Sequence, residues 1–474
     1  MLRTLAMIIT LFLVVSTAAG SAWPQYMHDA QNTGKTDIAI QEGLTLSWTH
    51  TPPQAAPGWQ WNQPALDDEG NIYYGAGYYF LSVTPEGILR WSVQTDYAFI
   101  GPSALNDGFV YFPCSEGDLY AYTEDGELSW SYPMVQPVNC GVTVGPDGTI
   151  YIGDTTSETV DNTYLYAINP DGSEKWTLCF TEADGIYTTP ALDTDGTKLY
   201  AAPGDFNFYA FNSATGAEVW SYEYNAMINL LYSSPSVADI SGSKYILFGD
   251  LGNMNAVYWT FLDENGSMRW HTTMSNSIQQ SAAIDPEGYF YLASNAGTLK
   301  KVDTSGALIW SRAFSQGYLS NPIVEGNGRV LIGTESGYLH ILDQNTGSTL
   351  ESIYLGDSVG SPIVGDNGEV YVLHGTNKLA CLEGELSVNE EDPSSGETIL
   401  QISRTGATFK ISIGCNSGEC TIYNTSGRSV LSETMENDLF WNSIDYPAGV
   451  YFVRVEVDTA GGIEEASSKL LVVR

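Results

Sequence analysis

Basic residues are scarce in this chain of 474 residues. Lysine and arginine together number 18, against 56 aspartates and glutamates, and the formal net charge is −38. A protein that binds nucleic acid or an anionic membrane surface needs a basic patch facing the phosphate groups. The composition therefore argues against both kinds of partner. Only 16% of the residues are charged, so the chain is not a disordered acidic polymer either.

Long apolar runs are almost absent. The one clear run, residues 5–15, follows Arg3 and precedes a stretch of small residues that ends at Ala22. It is shorter than the roughly 20 residues that a membrane-spanning helix needs. The pattern predicts a secretory signal peptide over residues 1–22. We expect no transmembrane segment in the mature chain and, because no cysteine precedes Cys114, no lipid-modified N-terminal cysteine.

Recognisable catalytic and metal-binding signatures are missing as well. The five histidines lie far apart, and no stretch has the ligand spacing of an EF-hand. Residues 356–360 match the pattern G-x-S-x-G, but no helical pattern follows them, and this nucleophile motif requires a strand-to-helix turn. The sequence therefore predicts no metal site, no cofactor and no identifiable catalytic residue.

Glycine and aromatic residues are abundant and follow a repeating order. The phrase YAFNSATGAEVW at residues 209–220 predicts a β-hairpin with a tryptophan four residues after the turn glycine. The spacing recurs about every 40–50 residues, which is typical of a β-propeller built from four-stranded blades. The other copies are Gly87/Trp91, Gly126/Trp130, Gly172/Trp176, Gly266/Trp270 and Gly306/Trp310, with a longer copy at Gly43/Trp48.

Each repeat can be divided into four strands, A to D, and strand A begins eight times. These starts follow Pro64, Pro102, Val142, Pro190, Pro235, Ala282, Pro322 and Pro362. The eighth repeat lacks strand D, whereas the strand at residues 44–48 precedes every strand A. Because an open sheet edge promotes aggregation, we predict that these two ends pair and close an all-β, eight-bladed propeller over residues 23–384. Glu351 replaces the tryptophan of blade 7, which predicts looser packing there.

The predicted mature chain opens with the phrase WPQYMHDAQNTG at residues 23–34. Together with the Gly-x-x-x-Trp hairpins, this phrase resembles the pyrroloquinoline-quinone-type (PQQ-like) repeat propellers over roughly residues 23–384. Quinoprotein dehydrogenases of that family hold their cofactor against a disulfide between adjacent cysteines, with a calcium ion and an aspartate base, and some carry haem at C-x-x-C-H. This chain has neither cysteine pattern, so we expect no quinone cofactor. The resemblance extends to the propeller lipoprotein of the outer-membrane assembly machinery, but the missing lipidation cysteine argues against that role.

Loops that differ between blades predict a binding surface. In the predicted topology the D–A and B–C loops share one face, and loops on a rigid scaffold commonly carry binding function. Aromatic and amide side chains there could line a depression around the axis that holds a neutral sugar or a peptide. Alternatively, the aromatic rings only pack against one another. The candidates are Trp59, Trp61, Tyr97, Tyr187, Tyr224, Tyr232, Tyr318, Asn225, Asn276 and Gln279.

Six cysteines in an exported protein permit up to three disulfides. Cys415 and Cys420 flank a four-residue turn between two predicted strands, which predicts a disulfide across that hairpin. Cys114 and Cys140 lie in loops of the same face and are the preferred second pair, although a third loop cysteine leaves other pairings open. Cys381 occupies a small-residue position of strand C, so we expect it to be a buried thiol.

The character of the chain changes after residue 384. Residues 385–398 are acidic and polar, which predicts a linker, and residues 399–474 predict the strands of a small β-sandwich. This ending resembles the type A C-terminal sorting domain of the type IX secretion system. The matching residues are Ile422, Tyr423, Asn424, Gly427, Pro447, Ala448, Gly449, Val450, Tyr451, Phe452, and the run from Lys469 to Arg474. The resemblance implies that an outer-membrane translocon recognises the domain; an accessory sandwich used for adhesion is the alternative.

These observations together predict an exported, non-catalytic propeller that is secreted or held at the cell surface. We expect a monomer that binds a glycan or a protein through its loop-rich face. Two alternatives remain open. The chain could be an extracellular polysaccharide lyase or hydrolase that uses the same face, or a scaffold for other envelope proteins.

Overall fold

The computed structural model describes most of the chain after residue 22. The described residues are 23–53, 63–96, 98, 101–156, 162–224, 231–252, 257–315, 317–385, 388–391, 398–405, 408–413, 418–424, 429–435, 438–442, 449–459 and 462–472. The regular elements in these ranges are strands. No helix within them is long and apolar enough to cross a membrane. The predicted signal peptide lies outside the described residues.

Eight four-stranded antiparallel sheets form the first part of the molecule. Their strands, in chain order, are β1 (Glu42–His50); β2 (Ala65–Leu66), β3 (Ile72–Ala76), β4 (Tyr79–Val83) and β5 (Leu89–Gln94) of blade 1; β6 (Ala104–Asn106), β7 (Phe109–Pro113), β8 (Asp118–Thr123) and β9 (Leu128–Pro133) of blade 2; β10 (Thr143–Val144), β11 (Ile150–Gly153), β12 (Asn162–Ile168) and β13 (Glu174–Thr181) of blade 3; β14 (Ala191–Leu192), β15 (Lys198–Ala201), β16 (Asn207–Asn212) and β17 (Glu218–Glu223) of blade 4; β18 (Ser236–Ile240), β19 (Ser243–Gly249), β20 (Val257–Leu262) and β21 (Met268–Met274) of blade 5; β22 (Ala283–Ile284), β23 (Phe290–Ser294), β24 (Thr298–Val302) and β25 (Leu308–Ala313) of blade 6; β26 (Ile323–Val324), β27 (Val330–Gly333), β28 (Tyr338–Leu342) and β29 (Thr349–Tyr354) of blade 7; and β30 (Ile363–Val364), β31 (Val370–His374) and β32 (Lys378–Glu385) of blade 8.

Burial decreases from the inner strands to the outer strand of each blade. Strands β3, β11, β23, β27 and β31 are buried along their whole length, because neighbouring blades cover both of their faces. The outer strands alternate between exposed and partly buried residues, as in β17 and β29. The apolar residues at both faces of strand B thus form the cores between blades.

The two ends of the propeller close the ring within one sheet. The order of this sheet is β1-β32-β31-β30. β1 runs antiparallel to β32, with Leu46 opposite Leu382 and Trp48 opposite Cys381. The predicted count of eight blades and the predicted closing strand are confirmed. Cys381 is fully buried, as its small-residue position predicts.

The repeated tryptophans join each blade to the next. Trp91, for example, lies against the turn glycine Gly126 of the following blade, and its Nε1 donates a hydrogen bond to the carbonyl oxygen of Glu124 at 2.8 Å. Each of these turn glycines has a positive φ, and a Cβ there would come within 2.6–3.0 Å of the indole. The pairs are Trp48/Gly87, Trp91/Gly126, Trp130/Gly172, Trp176/Gly216, Trp220/Gly266, Trp270/Gly306 and Trp310/Gly347. A side chain at the glycine would therefore separate the blades.

Blade 7 meets blade 8 differently, because blade 8 takes its outer strand from β1 and has no C–D turn. At this junction the carboxylate of Glu351 accepts a hydrogen bond from the backbone N–H of Leu44, and burial raises the pKa of Glu351. Glu351 thus contacts the start of the closing strand where the other blades place an indole.

The residues before β1 run around the propeller axis, and we call residues 23–41 the axial segment. Its oxygen atoms accept one hydrogen bond, 2.7–2.9 Å long, from the innermost strand of each of blades 1 to 7. The donors are the N–H groups of Leu66, Leu105, Val144, Leu192, Val237, Ile284 and Val324; the acceptors, in the same order, are Trp23 O, Pro24 O, Gln25 Oε1, Ala30 O, Gln31 O, Thr33 O and Gly34 O. The N–H of Gln41 donates to Gly368 O of blade 8 at 2.9 Å. The axial segment therefore bonds to all eight blades.

The C-terminal part forms two further four-stranded sheets. Their strands are β33 (Val388–Glu391), β34 (Thr398–Thr405), β35 (Thr408–Ile413), β36 (Gly418–Asn424), β37 (Ser429–Met435), β38 (Asp438–Asn442), β39 (Gly449–Thr459) and β40 (Gly462–Val472). The orders are β33-β34-β35-β38 and β37-β36-β39-β40. The linker prediction for residues 385–398 is partly wrong, because β33 pairs with β34, Val388 lying opposite Ile402. The backbone N–H and C=O groups of β33 are hydrogen-bonded to β34, and this pairing does not require an apolar sequence pattern.

The predicted sorting residues lie mostly on the two long final strands. Gly449, Val450 and Tyr451 begin β39, opposite the last three residues of β40, and Lys469 lies opposite Phe452. Arg474 lies outside the described residues.

The structure corrects the two predicted disulfides. Cys114 and Cys140 are free thiols, because they belong to cores on opposite sides of blade 2. The Cys140 thiol donates to the carbonyl oxygen of Gly153 at 3.3 Å, and burial raises its pKa to about 12. Cys420 on β36 is likewise a free, fully buried thiol, and its predicted partner Cys415 lies outside the described residues.

Candidate functional site

A depression of about 260 Å³ opens on the face of the D–A loops. The loops that enter blades 2 to 6 form its wall, and one residue of the axial segment contributes to it. The lining residues are Tyr26, Gly101, Pro102, Asn139, Cys140, Gly141, Tyr187, Thr189, Tyr232, Ser234 and Gln279. The depression thus lies on the loop-rich face where the sequence predicts a binding surface.

Tyr26 forms the floor of the depression and is held in place through its hydroxyl group. The hydroxyl donates to Ser281 Oγ at 2.9 Å and accepts a hydrogen bond from Asn321 Nδ2 at 3.0 Å. Ser281 Oγ in turn donates to the carbonyl oxygen of Ser234 at 3.1 Å. Burial raises the pKa of Tyr26, whose side chain is only 6% exposed. The floor is therefore a neutral phenol with a fixed orientation.

Hydrogen bonds between neighbouring blades hold the wall in place. Two residues before strand A of blades 3, 4, 6 and 7, a backbone N–H donates a hydrogen bond to a side-chain oxygen of the next blade. The pairs are Gly141 to Thr189 (3.0 Å), Thr189 to Ser234 (2.9 Å), Ser281 to Asn321 (2.8 Å) and Asn321 to Ser361 (3.1 Å). The hydroxyl oxygens of Thr189 and Ser234 in the wall thus already accept hydrogen bonds from neighbouring blades. Because these bonds fix the wall residues, the depression is largely preformed.

Two tyrosines give the wall an aromatic part. The ring centroids of Tyr187 and Tyr232 are 5.0 Å apart, and their planes are inclined by 49°. Burial raises the pKa of both phenols, so both are neutral at physiological pH. Both side chains remain partly exposed. Their rings can therefore contact apolar parts of a bound molecule.

Two wall amides have spare hydrogen-bonding capacity. The side chains of Asn139 and Gln279 are partly exposed and make no hydrogen bond with other residues in the described part of the chain. Each amide carries two donor hydrogens and one acceptor oxygen. None of the described lining residues is charged at neutral pH. Because burial of an unpaired charge is costly, the depression suits an uncharged group that pairs with amides.

The structure brings only some of the predicted site residues together. Tyr187, Tyr232 and Gln279 line the depression. Tyr224 does not; its ring is 4% exposed and packs against Phe248 in the core between blades 4 and 5. This part of the prediction is corrected, because the end of the outer strand turns the Tyr224 side chain toward the neighbouring blade.

Of the remaining candidates, two lie elsewhere on the surface. Tyr318 and Asn276 are exposed, and neither lines the depression. Trp59, Trp61, Tyr97 and Asn225 lie outside the described residues. Sequence reasoning missed Tyr26 and Asn139. Tyr26 stands in the phrase WPQYMHDAQNTG, whose position before the first strand was the available signal.

The depression does not fit a quinone held with a metal ion. Its described lining contains one cysteine, Cys140, and no carboxylate. Elsewhere among the described residues, no group of three or more His, Cys, Asp or Glu side chains could hold a metal ion. The cysteine pair, calcium ligands and aspartate base of the quinoprotein dehydrogenases have no counterparts in this lining.

The fold is a β-propeller, and part of its sequence is similar to a family of propeller repeats. The family model described as "Outer membrane protein assembly factor BamB" matches residues 115–281 and 253–350. Together the two matches run from the B–C loop of blade 2 to the start of the outer strand of blade 7. The β-propeller expected from the Gly-x-x-x-Trp repeats is confirmed.

Solved structures show the same fold at low sequence identity. BamB from Moraxella catarrhalis is 15% identical with a TM-score of 0.56, over 72% of this chain and 99% of that chain. Quinohemoprotein alcohol dehydrogenase from Comamonas testosteroni is 15% identical with a TM-score of 0.65, over 80% and 84%. A europium-containing methanol dehydrogenase is 14% identical with a TM-score of 0.62, over 74% and 89%. At these identities the similarity concerns the fold alone.

One curated relative is matched over part of its length. The serine/threonine-protein kinase/endoribonuclease ire-1 of Caenorhabditis elegans is 21% identical over 194 residues. The match covers 40% of this chain but only 18% of that protein.

Proposed function

We propose that this chain is a non-catalytic propeller that binds an uncharged segment of a partner protein in the depression above Tyr26. The observation that carries the proposal is the combination of a neutral aromatic wall with two unengaged amides, Asn139 and Gln279. A peptide segment would offer backbone amide groups to these side chains and an apolar side chain to Tyr187 and Tyr232.

A protein partner is favoured over other ligands by the family comparison. The matching family model describes an assembly factor for outer membrane proteins, a role that rests on protein contacts. Aromatic rings beside amides also suit a neutral sugar, so a glycan is the competing ligand. Hydrolysis or elimination of a polysaccharide needs positioned acid and base groups. The described lining provides no carboxylate or histidine for such steps, which supports a binding role.

The first test measures binding on peptide and glycan arrays. We expect Tyr232→Ala and Gln279→Ala each to weaken binding of captured peptides about tenfold, because each removes a contact at the centre of the site. Tyr78→Ala is the control, since Tyr78 is 41% exposed and does not line the depression. Unchanged binding by both site variants would refute the proposal. Capture of neutral glycans alone would make the ligand a sugar.

Export and display at the cell surface form the second part of the proposal. The signal-peptide pattern at residues 1–22 and the similarity of residues 399–474 to a sorting domain support it. In the organism of origin, a chain that ends at residue 384 is expected to remain inside the envelope, whereas the full chain reaches the surface or the medium. Cell fractionation with immunoblotting measures this. Equal surface levels of the two chains would contradict the assignment of the sorting domain.

A further inference from the structure

The outer strand of blade 7 is an unusually apolar sheet edge. β29 is the last strand of its sheet, and nothing pairs with its outer side among the described residues. In each outer strand, one set of alternating residues lies on the exposed side. In β29 these residues are Leu350, Ser352 and Tyr354, and the first and last are 55% and 61% exposed.

Most other blades carry a charge, a proline or small side chains at the same positions, and blade 6 carries one exposed apolar residue, Ile309. Blade 4 has Val219, Ser221 and Glu223 there, and blades 1, 3 and 5 begin the set with Arg90, Lys175 and Arg269. The uncharged sets are Ser129, Ser131 and Pro133 in blade 2, Ile309, Ser311 and Ala313 in blade 6, and Ser47 and Thr49 in blade 8. Charges and prolines protect sheet edges from pairing with other chains. Blades 6 and 8 also lack both at these positions, but blade 7 differs from them in having large apolar groups at both ends of the set.

A run of aromatic rings lies beside this edge. The centroid of Tyr354 is 4.9 Å from that of Tyr338, its cross-strand neighbour on β28. The Tyr338 ring stacks on His340 at 5.6 Å, and His340 lies 5.2 Å from Phe314 of blade 6. In blades 1 and 5 the cross-strand pair at this position contains a single aromatic residue, because Tyr79 faces Gln94 and Tyr258 faces Thr273. Of these three blades, only blade 7 pairs two aromatic rings at this cross-strand position.

The aromatic run is uncharged at neutral pH. Burial, together with the nearby Arg312, lowers the pKa of His340 to about 4. Its Nδ1 is 2.7 Å from Ser352 Oγ. Arg312 lies at the other end of the run, and its guanidinium carbon is 4.8 Å from the centre of the Phe314 ring. Tyrosine and arginine side chains in such groups are frequent hot spots of protein interfaces.

We propose that an extended segment of a second protein adds to β29 as a fifth strand of blade 7. The unpaired N–H and C=O groups of an edge strand supply the hydrogen bonds for strand addition, and neighbouring side chains select the sequence. Alternate side chains of the added strand would lie against Leu350, Tyr354 and Tyr338. Cross-strand aromatic pairs of this kind stabilise sheets.

The net charge of the chain indicates whether the added strand comes from a different protein or from a second copy of this chain. Each copy carries a formal charge of −38, so pairing two β29 strands would bring two strongly negative molecules together. The same charge disfavours an acidic segment. The segment that fits is uncharged or basic, with apolar residues at alternate positions.

The test uses a displayed library of linear 12-residue peptides selected on the intact protein. Peptides that bind β29 should slow hydrogen exchange of the amides of residues 349–354. The Tyr354→Glu variant has a negative charge at the position that Glu223 occupies in blade 4. We expect this variant to bind the selected peptides at least about tenfold more weakly. The control Val219→Glu adds the same charge to the equivalent edge of blade 4, where Val219 is 49% exposed, and should change the affinity less than about twofold.

Several outcomes would overturn the inference. Selection of no peptide, exchange protection confined to the loops that line the depression above Tyr26, or unchanged affinity of the Tyr354→Glu variant would each do so. A wild-type dimer in sedimentation that Tyr354→Glu converts to a monomer would make β29 a contact between two copies instead. Tyr232→Ala should leave these peptides bound, which separates this edge from the depression above Tyr26.

Discussion

Removal of the axial segment, residues 23–41, is expected to abolish cooperative folding of the propeller. The segment accepts seven hydrogen bonds from the inner strands of seven blades. At about 0.5–1.5 kcal/mol each, they amount to roughly 4–10 kcal/mol, which is comparable with the whole stability of a typical protein. Trp23 and Met27 also lose fully buried positions. Denaturant unfolding followed by tryptophan fluorescence, with a chain that begins at Trp23 for comparison, measures the loss.

A synthetic peptide of residues 23–41 provides the control. Added to the shortened chain, it should restore a cooperative transition. The same peptide with Asn32→Ala should restore it less well, because the Asn32 amide lies near the carbonyl oxygens of Thr189, Pro190 and Pro235 and donates to them at 2.9–3.3 Å. Cooperative unfolding of the shortened chain at the midpoint of the longer one would show that the axial segment is dispensable.

Replacement of Lys301 by methionine is expected to lower the free energy of unfolding by about 3–5 kcal/mol. The Lys301 ammonium lies 3.3 Å from the carboxylate of Asp285, and their side chains are 4% and 0% exposed. It also lies 4.1 Å from the centre of the Tyr289 ring and donates to the carbonyl oxygen of Gln344 at 3.1 Å. Without the ammonium, Asp285 remains as a buried carboxylate with no opposite charge. Denaturant unfolding at pH 7 measures the change.

Two companion variants separate the ion pair from the rest of the lysine side chain. Lys300→Met changes the preceding residue, whose ammonium donates to an exposed carbonyl oxygen, and should cost less than about 1 kcal/mol. Asp285→Asn in the Lys301→Met background should recover part of the loss, since a neutral amide replaces the unpaired charge. A loss equal to that of Lys300→Met would contradict the role assigned to the pair.

The blades could be predicted because their information is local. A turn glycine and a tryptophan four residues later lie within one hairpin, so each copy is visible in a short stretch of sequence. The same indole then contacts the equivalent turn of the next blade, as Trp91 contacts Gly126. The pairing of β1 with β32 could be predicted because a missing strand at one end matched an extra strand at the other.

The axial segment could not be predicted in the same way. Its bonds to the blades are made mostly by backbone carbonyl oxygens, which every residue type possesses, and they join residues that are far apart in the chain. Nothing in the side chains of residues 23–34 indicates which blade each carbonyl will face. The floor residue of the site, Tyr26, was missed for this reason.

The direction of side chains at loop ends also depends on neighbouring blades. Tyr187 and Tyr224 are both tyrosines of D–A loops, yet one lines the depression and the other is buried between blades. Cys114 and Cys140 share a face of the predicted ring, yet blade 2 separates their thiols. Spacing in the sequence does not distinguish these cases, because the path of the loop determines which way each side chain points.

The sequence by itself determined the all-β class, the eight repeats, the closing strand and the strong negative charge of this protein. These properties follow from periodic residues and from composition, which fold into hairpins through short-range interactions. Only the tertiary structure decided that the axial segment bonds to every blade, that Tyr26 forms the floor of the site, and that β29 is an apolar edge beside an aromatic run. Those features arise where backbone groups and side chains from distant parts of the chain meet.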